Sequence, residues 1–314
     1  EDLETAYVQA LAQRVPVLTP PTDAYARWTA GMRGIAEGIS EDEQHYWRRV
    51  EQATTGHLPL DAPQMRACYR DRVELRIALT QDVSARLLSS AHATYGTRMD
   101  DLLLTALGRA LAEWAGYRCW RVLLESHGRE PLWDGADVSR TVGWFTARYP
   151  VLLDFDGSDD IGRQIKVVKE MLRQVPGGGG GYEAAQYLPQ GAAPCTPLPS
   201  IAFNYLGQLG HDLRTGFWTW VDEDAGAVIA PEAPLVHDIE IIGFVADDRF
   251  RFVIGYGSVR FAQETVARLC ASLERALVDI VEHTTQTRER ELTPSDIDYD
   301  GFDIDALDKF MKHL

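Results

Sequence analysis

In one unbroken run the chain places Glu125, Ser126, His127, Gly128, Arg129 and Glu130. A carboxylate, an imidazole and a guanidinium at alternate positions are the groups that move protons and bind charge. The preceding residues, Trp120 to Leu124, read as a short apolar strand. If the strand continues, Glu125, His127 and Arg129 share one of its faces. Two readings stay open: a solvated strand end joined by a salt bridge, or the edge of a functional cleft. The apolar run Trp144 to Val151 places the cluster between strands expected to be buried. Buried charge is costly unless paired, and it collects at functional sites. A second unusual group is Phe203-Asn204-Tyr205-Leu206-Gly207. Asparagine is disfavoured in a central strand, and an amide and a phenol inside an apolar run both need partners. An ordinary buried hydrogen bond would account for them equally well.

Other candidates carry less. Gly179, Gly181 and Ala184 fit a loose GxGxxA pattern, but the run Gly177 to Gly181 follows a helical pattern rather than a strand. That excludes a dinucleotide fingerprint. No Gly-Lys-Ser/Thr occurs, so it is no phosphate loop either, and the run reads as a flexible loop able to act as a lid. Cys68, Cys119, Cys195 and Cys270 form no CxxC pair, and the histidines show no metal-ligand spacing. They read as small buried side chains in a reducing cytosol, with no metal site. His211 and His237 read as lone surface or core groups. The formal net charge of -16 argues against nucleic acid as a main partner. No run approaches the ~18 apolar residues of a membrane span, so the expected location is cytoplasmic. The acidic N-terminus EDLETAYVQALAQ is not a signal peptide.

These groups need positioning elements. Helices are expected over Asp2 to Arg14, Ala24 to Gly38 and Ser40 to Gln52, the last opened by a Ser40/Glu43 capping box. The loops VPVLTPPTD and TTGHLPLDAPQM flank them. Val73, Leu75, Ile77 and Leu79 alternate as a strand, and helices follow at 81–94 and 100–115. Phe145 to Phe155 reads as a strand, Ile161 to Leu172 as a helix, and Ser200 to Leu209 as a buried strand. Ile239 to Phe244 and Phe250 to Tyr256 form a hairpin across Ala246-Asp247-Asp248. Val266 to Ile280 is a last long helix, and HTTQTRERELTPSDIDYDG a polar linker. A short helix then carries Ile304, Leu307, Phe310, Met311 and Leu314 on one face. No internal repeat occurs. Strands and helices without strict alternation predict an α+β fold, a mixed or antiparallel sheet covered on one face by helices.

Taken together, the motifs resemble the epimerization domains of nonribosomal peptide synthetases, relatives of the condensation domains. That family carries EGHGRE, here Glu125 to Glu130. It carries DVSRTVGWFT-YPV, matched by Asp137 to Val151, and FNYLGQ, matched by Phe203 to Gln208. The tail TPSD, Thr293 to Asp296, is similar as well. Ser126 replaces a glycine. The family's GYG-LRYL reads Gly181-Tyr182-Glu183-Ala184-Ala185-Gln186-Tyr187-Leu188, so its arginine is Gln186. The family's HHxxxDG motif is absent, since no two histidines are adjacent. On this resemblance the chain corresponds to the C-terminal two-thirds of such a domain.

The resemblance implies a two-lobed chloramphenicol-acetyltransferase-like fold. Residues 1–65 would end the first lobe and make the crossover, 66–286 would form the C-terminal lobe, and 287–314 a linker with a docking helix for a downstream synthetase subunit. It implies inversion of the α-carbon of an aminoacyl or peptidyl thioester. The substrate would be held on the phosphopantetheine arm of a peptidyl carrier domain, with no cofactor of the domain's own. Glu125 would be the acid/base on this half, with Tyr205 and Asn204 beside the substrate, His127 and Arg129 in support, and Arg140 an ion-pair partner holding the motif. A rival reading is an inactive relative that recruits a partner such as a P450 oxygenase to the carrier-bound peptide. Peptide-bond condensation is a weaker third.

Overall fold

The computed structural model describes residues 2–130, 133–155, 157–187, 197–209, 223, 226–287, 289–297 and 302–311. Helices α1 (Asp2–Leu11), α2 (Tyr25–Glu37) and α3 (Glu41–Gln52) come first. The Ser40 hydroxyl accepts from the Glu43 N–H, as the capping box requires. The Glu43 carboxylate turns instead to the Trp47 indole N–H at 3.2 Å, which leaves the box half formed. Strand β1 (Arg72–Ala78) leads to α4 (Gln81–Leu88), which ends earlier than expected in a short 3-10 turn at Ser90–His92. Helix α5 (Met99–Ala115) follows, then β2 (Cys119–Ser126), β3 (Ala147–Asp154), α6 (Ile161–Arg173), α7 (Gly180–Tyr187) and β4 (Ile201–Gln208). The hairpin is β5 (Ile239–Ala246) and β6 (Arg249–Gly257), and α8 (Gln263–Gln286) and α9 (Ile304–Met311) complete the order.

The strands form one mixed sheet in the order β1-β6-β5-β4-β2-β3. The pairs β2/β4 and β4/β5 are parallel and the others antiparallel. The hairpin turn is where the alternation placed it. Asp247 and Asp248 both take positive φ, 51° and 57°, the turn whose twist suits a two-residue hairpin. Alternate residues of β6, Phe250, Phe252, Ile254 and Tyr256, enter the core with Ile239 and Ile241 of β5 and Phe203 of β4. Helices α4, α5, α6 and α8 cover that face and contribute Leu87, Leu107, Ile165 and Leu277. This is the helix-covered α+β sheet expected.

Helix α5 is buried nearly all round. Leu102, Leu103, Leu104, Leu107 and Leu111 are all buried, so its apolar surface is not a single stripe. Its Gly108 lets the Phe155 ring approach, since a Cβ there would lie 2.4 Å from that ring. Residues of the first segment join the same core, with Trp47 packed near Tyr149 and Tyr182. A second small cluster gathers Trp28, Val138 and Phe145.

Three expectations change. The glycine run is not an open loop: Gly177, Gly178 and Gly179 make a left-handed turn and Gly180–Tyr187 is helical. Gly179 lies at φ +84° with its Cα against the Tyr149 ring, where a Cβ would come within 1.9 Å. Close packing on an aromatic ring and left-handed backbone explain the glycine there. Strand β3 starts at Ala147, two residues after the expected Phe145, and Trp144, at the head of the apolar run expected to be buried, is exposed. The polar stretch after α8 is no open linker. Thr293 is fully buried, Glu291 N–H donates to the Thr94 carbonyl, and the Lys169 ammonium meets both carboxylate oxygens of Asp296 at 2.7 Å. Lys166 and Lys169 of α6 are buried and require counter-ions, and this segment supplies them.

Candidate active site

Strands β2 and β4 run parallel with Leu124 opposite Phe203, which sets Glu125 beside Asn204. The Asn204 amide donates to a Glu125 carboxylate oxygen at 2.7 Å. Glu125 stands near the carboxyl end of β2 and Asn204 midway along β4, and both line a cleft of about 570 Å³. The start of α5 and the end of α6 wall it with Arg98, Asp100, Asp101 and Arg173, and Tyr149 and Tyr205 also line it. Asn204 sits in a strand against its propensity because its amide has a carboxylate to serve.

Glu125 itself is exposed at the cleft mouth. Its carboxyl nonetheless sits among enough protein atoms that desolvation, the largest cause, lifts its pKa above the usual carboxylate range. Arg148 and His237 pull it down, while Glu240 and Glu183 push it up. Tyr205 stacks its ring on Phe250 with centroids 5.8 Å apart, and burial followed by the nearby charge of Asp100 raises its phenol. The phenol is therefore a donor at neutral pH.

The other sequence-predicted residues go elsewhere. Gly128 takes φ +62° with its Cα against the Phe145 carbonyl, so the strand alternation ends at Ser126. Glu125, His127 and Arg129 therefore do not share a strand face. His127 is exposed; its Nδ1 accepts from the Arg129 N–H at 3.0 Å and its Nε2 lies 3.6 Å from Glu130. Arg129 turns into the following loop. Its guanidinium lies 4.1 Å from the Phe145 ring centroid and donates to the carbonyls of Val138 and Thr141. Arg140 pairs with Asp2 of α1, which ties the first helix to the motif. His237 holds its Nδ1 2.8 Å from the Pro199 carbonyl. His211 and Cys195 lie outside the described residues.

Sequence reasoning missed the groups that tertiary packing brings in. Asp101 is fully buried, makes a two-point pair with Arg173 at 2.8 and 2.7 Å, and caps α5 through the Arg98 N–H. Asp100 lines the cleft, its pKa raised by burial first and then by Asp101. Arg148 faces Glu125 across the β2/β3 pair and is held by Glu183 of α7. Only the acidic start of α5 was a visible signal, and it reads as an ordinary helix beginning. Among the described residues no cluster of His, Cys, Asp or Glu could hold a metal ion, and no helix is long and apolar enough to cross a membrane.

The model of the condensation domain matches residues 1–300. The chain belongs to the condensation-domain family. It is 36% identical over 322 residues to tyrocidine synthase 2 of Brevibacillus parabrevis, a match covering 100% of this chain and 9% of that protein. The chain thus spans about a tenth of the length of that curated relative. Among solved structures, the epimerization domain from the third module of tyrocidine synthetase B superposes with TM-score 0.80 at 36% identity, covering 90% of this chain and 64% of that one. The X-domain from teicoplanin biosynthesis superposes at TM-score 0.65 and 18% identity, covering 89% and 64%, which bears on the fold alone. The resemblance to a nonribosomal peptide synthetase domain read from the motifs agrees with these relatives, as does the mixed-sheet fold class.

Proposed function

We propose that this condensation-family domain epimerizes the α-carbon of an aminoacyl or peptidyl thioester presented on the phosphopantetheine arm of a carrier domain. The observation that carries the reading is the Glu125 carboxylate. It stands at the mouth of the cleft, oriented by Asn204 and raised in proton affinity by its surroundings. The α-proton of a thioester is weakly acidic, so its removal needs a base of matched strength and a stabilised enolate. Glu125 takes or returns the proton on one face of the α-carbon. Tyr205, neutral at the cleft wall, donates a hydrogen bond to the substrate, and Asn204 fixes the carboxylate. Inversion needs a second proton-transfer group on the opposite face, which the family resemblance assigns to the HHxxxDG histidine. His127, Arg129 and Arg140 serve as supports: the first two shape the loop beyond Glu125, and the third anchors that loop to α1. The likeness to an epimerization domain at 36% identity is in keeping with this reading. The partners are a carrier domain and neighbouring synthetase domains, with α9 as a docking element whose Phe310 and Met311 remain exposed.

The test presents the domain, in its complete polypeptide, with a loaded carrier in deuterated water. Wild type should incorporate α-deuterium, and Glu125→Gln should lose that exchange by more than about a hundredfold, within the range of a general acid-base contribution. Exchange that survives Glu125→Gln removes Glu125 from the reaction. No exchange in either protein across several loaded residues refutes the epimerase reading and leaves the recruiting role, to be read by binding of an oxygenase.

A further inference from the structure

Arg148 and Glu183 take no part in the reaction proposed above, yet they surround Glu125. The register sets Arg148 directly opposite Glu125 in the antiparallel β2/β3 pair. Residues so opposed share a face with Cβ atoms about 4.5–5.5 Å apart, and opposite charges there attract. An Arg148–Glu125 ion pair is the default for this position. Instead the guanidinium turns to Glu183: Nε and Nη2 donate to one carboxylate oxygen at 3.0 and 2.7 Å. The Arg148 backbone N–H points to the other oxygen at 3.4 Å.

Glu183 is delivered there by a fixed helix. Two residues of α7 hold Glu51 of α3: the Tyr182 hydroxyl donates to its carboxylate at 2.9 Å and the Gln186 amide at 2.6 Å. Gly179 seats the start of that helix on the Tyr149 ring, one residue from Arg148. In the resemblance, Glu183 stands where the second glycine of GYG would be, and Gln186 where an arginine would be. Both replacements are thus engaged, one with Arg148 and the other with Glu51.

We propose that Glu183 is a positioning residue for Glu125: by holding the Arg148 guanidinium it keeps the cross-strand ion pair from forming and leaves the Glu125 carboxylate available to accept a proton. This rests on the reading of Glu125 as the proton-transfer group. A carboxylate clamped by a guanidinium is a weaker base, since the nearby cation favours its ionised form. The glycine-rich segment thus acts on the site through Glu183 and Arg148, as the start of a packed helix.

The charged groups facing Glu125 come from several elements. Arg148 (β3), Glu183 (α7), Glu240 (β5) and His237 ahead of β5 act on it directly. Across the cleft stand Asp100, Asp101 and Arg98 of α5 and Arg173 of α6, with His127 and Glu130 beside the mouth. Removing Glu183 deletes a negative charge that acts on Glu125 and takes away the carboxylate that draws the Arg148 guanidinium aside, and both favour ionised Glu125. Removing Arg148 does the reverse twice over. The two variants must therefore move Glu125 in opposite directions, which a role confined to folding does not produce.

The experiment is a carbon-13 NMR titration of the carboxyl-labelled glutamates, with the Glu125 signal assigned through Glu125→Gln. Glu183→Gln should move its midpoint to lower pH and Arg148→Met to higher pH. The double variant should lie between them. The acid limb of the α-proton exchange profile should follow the same shifts. Midpoints that stay put, or that move the same way in both variants, overturn the proposal. Arg148→Met keeps the bonds of Tyr182 and Gln186 to Glu51, and should Glu183→Gln fail to fold, an unmoved or lowered midpoint in Arg148→Met refutes the proposal. Absence of exchange in every protein would defeat the epimerase reading, while the NMR midpoints would still decide the positioning.

Discussion

Replacing Lys169 by methionine tests whether residues 289–297 belong to the folded body. Lys169 is 1% exposed. Its ammonium donates to both Asp296 oxygens and to the Tyr95 carbonyl, each at 2.7 Å. Methionine keeps most of the unbranched side chain and removes the charge. Among the described residues, Asp296 then keeps the Thr293 backbone N–H at 2.9 Å and the Thr293 hydroxyl at 3.0 Å. Breaking one partner of a buried pair costs about 3–5 kcal/mol. The Asp296 side chain is 15% exposed, so water recovers part of this and about 2–4 kcal/mol is expected. At ~2.1 cal/mol/K of unfolding entropy per residue, that is a Tm lower by roughly 5 °C. Lys169→Met with Asp296→Asn should recover part of the loss, because neither ion is left alone.

The acid dependence of this pair follows from Asp296. Burial, its largest single influence, raises the carboxyl pKa, but Lys169 and Thr293 together more than offset it and hold the group below its usual range. A depressed carboxylate contributes stability above its unfolded pKa and loses it as pH falls through its folded one. The gap between wild type and the double variant should therefore close in acid, beginning near about pH 4. Urea unfolding followed by circular dichroism reads both effects. A Lys169→Met protein within about 1 kcal/mol of wild type at neutral pH would refute the claim that this segment is bonded into the core.

Gly179→Ala should loosen the start of α7, because its Cβ meets the Tyr149 ring and its backbone stays left-handed. A loss of about 1–3 kcal/mol is expected, with faster hydrogen exchange in Gly180–Tyr187 than elsewhere. Arg129→Met removes two charge-assisted bonds to loop carbonyls and the contact with Phe145, so amides of Asp137 to Phe145 should exchange about tenfold faster or more. Asn204→Ala removes the one described hydrogen bond to Glu125, and α-deuterium incorporation should fall about tenfold with the circular dichroism unchanged.

The elements themselves were largely legible. Alternation along Phe250 to Tyr256 and along Ile239 to Phe244 announces the hairpin, because a half-buried strand has period two whatever it pairs with. Glu125 and Asn204 could be singled out one at a time from their residue types in apolar runs. Their contact was not legible, since it depends on the parallel pairing of strands 79 residues apart. His127 and Arg129 were misplaced onto Glu125's face because one left-handed glycine, Gly128, ends the alternation. The polar stretch after α8 reads as solvated for the same kind of reason. Its charges look free until the buried lysines of α6 are placed against them.

What the sequence alone determined is therefore local and repetitive: the amphipathic helices, the alternating strands, the two-residue turn and the motifs that resemble one family. Each depends on neighbours within a few positions, where chain geometry is fixed in advance. What only the tertiary structure decided is which charges meet. The Arg148 guanidinium could pair with Glu125 across the strand or with Glu183 from a helix 35 residues away, and the choice rests on where α7 packs. Coulombic partners are selected by distance in space, to which spacing along the chain gives no direct guide.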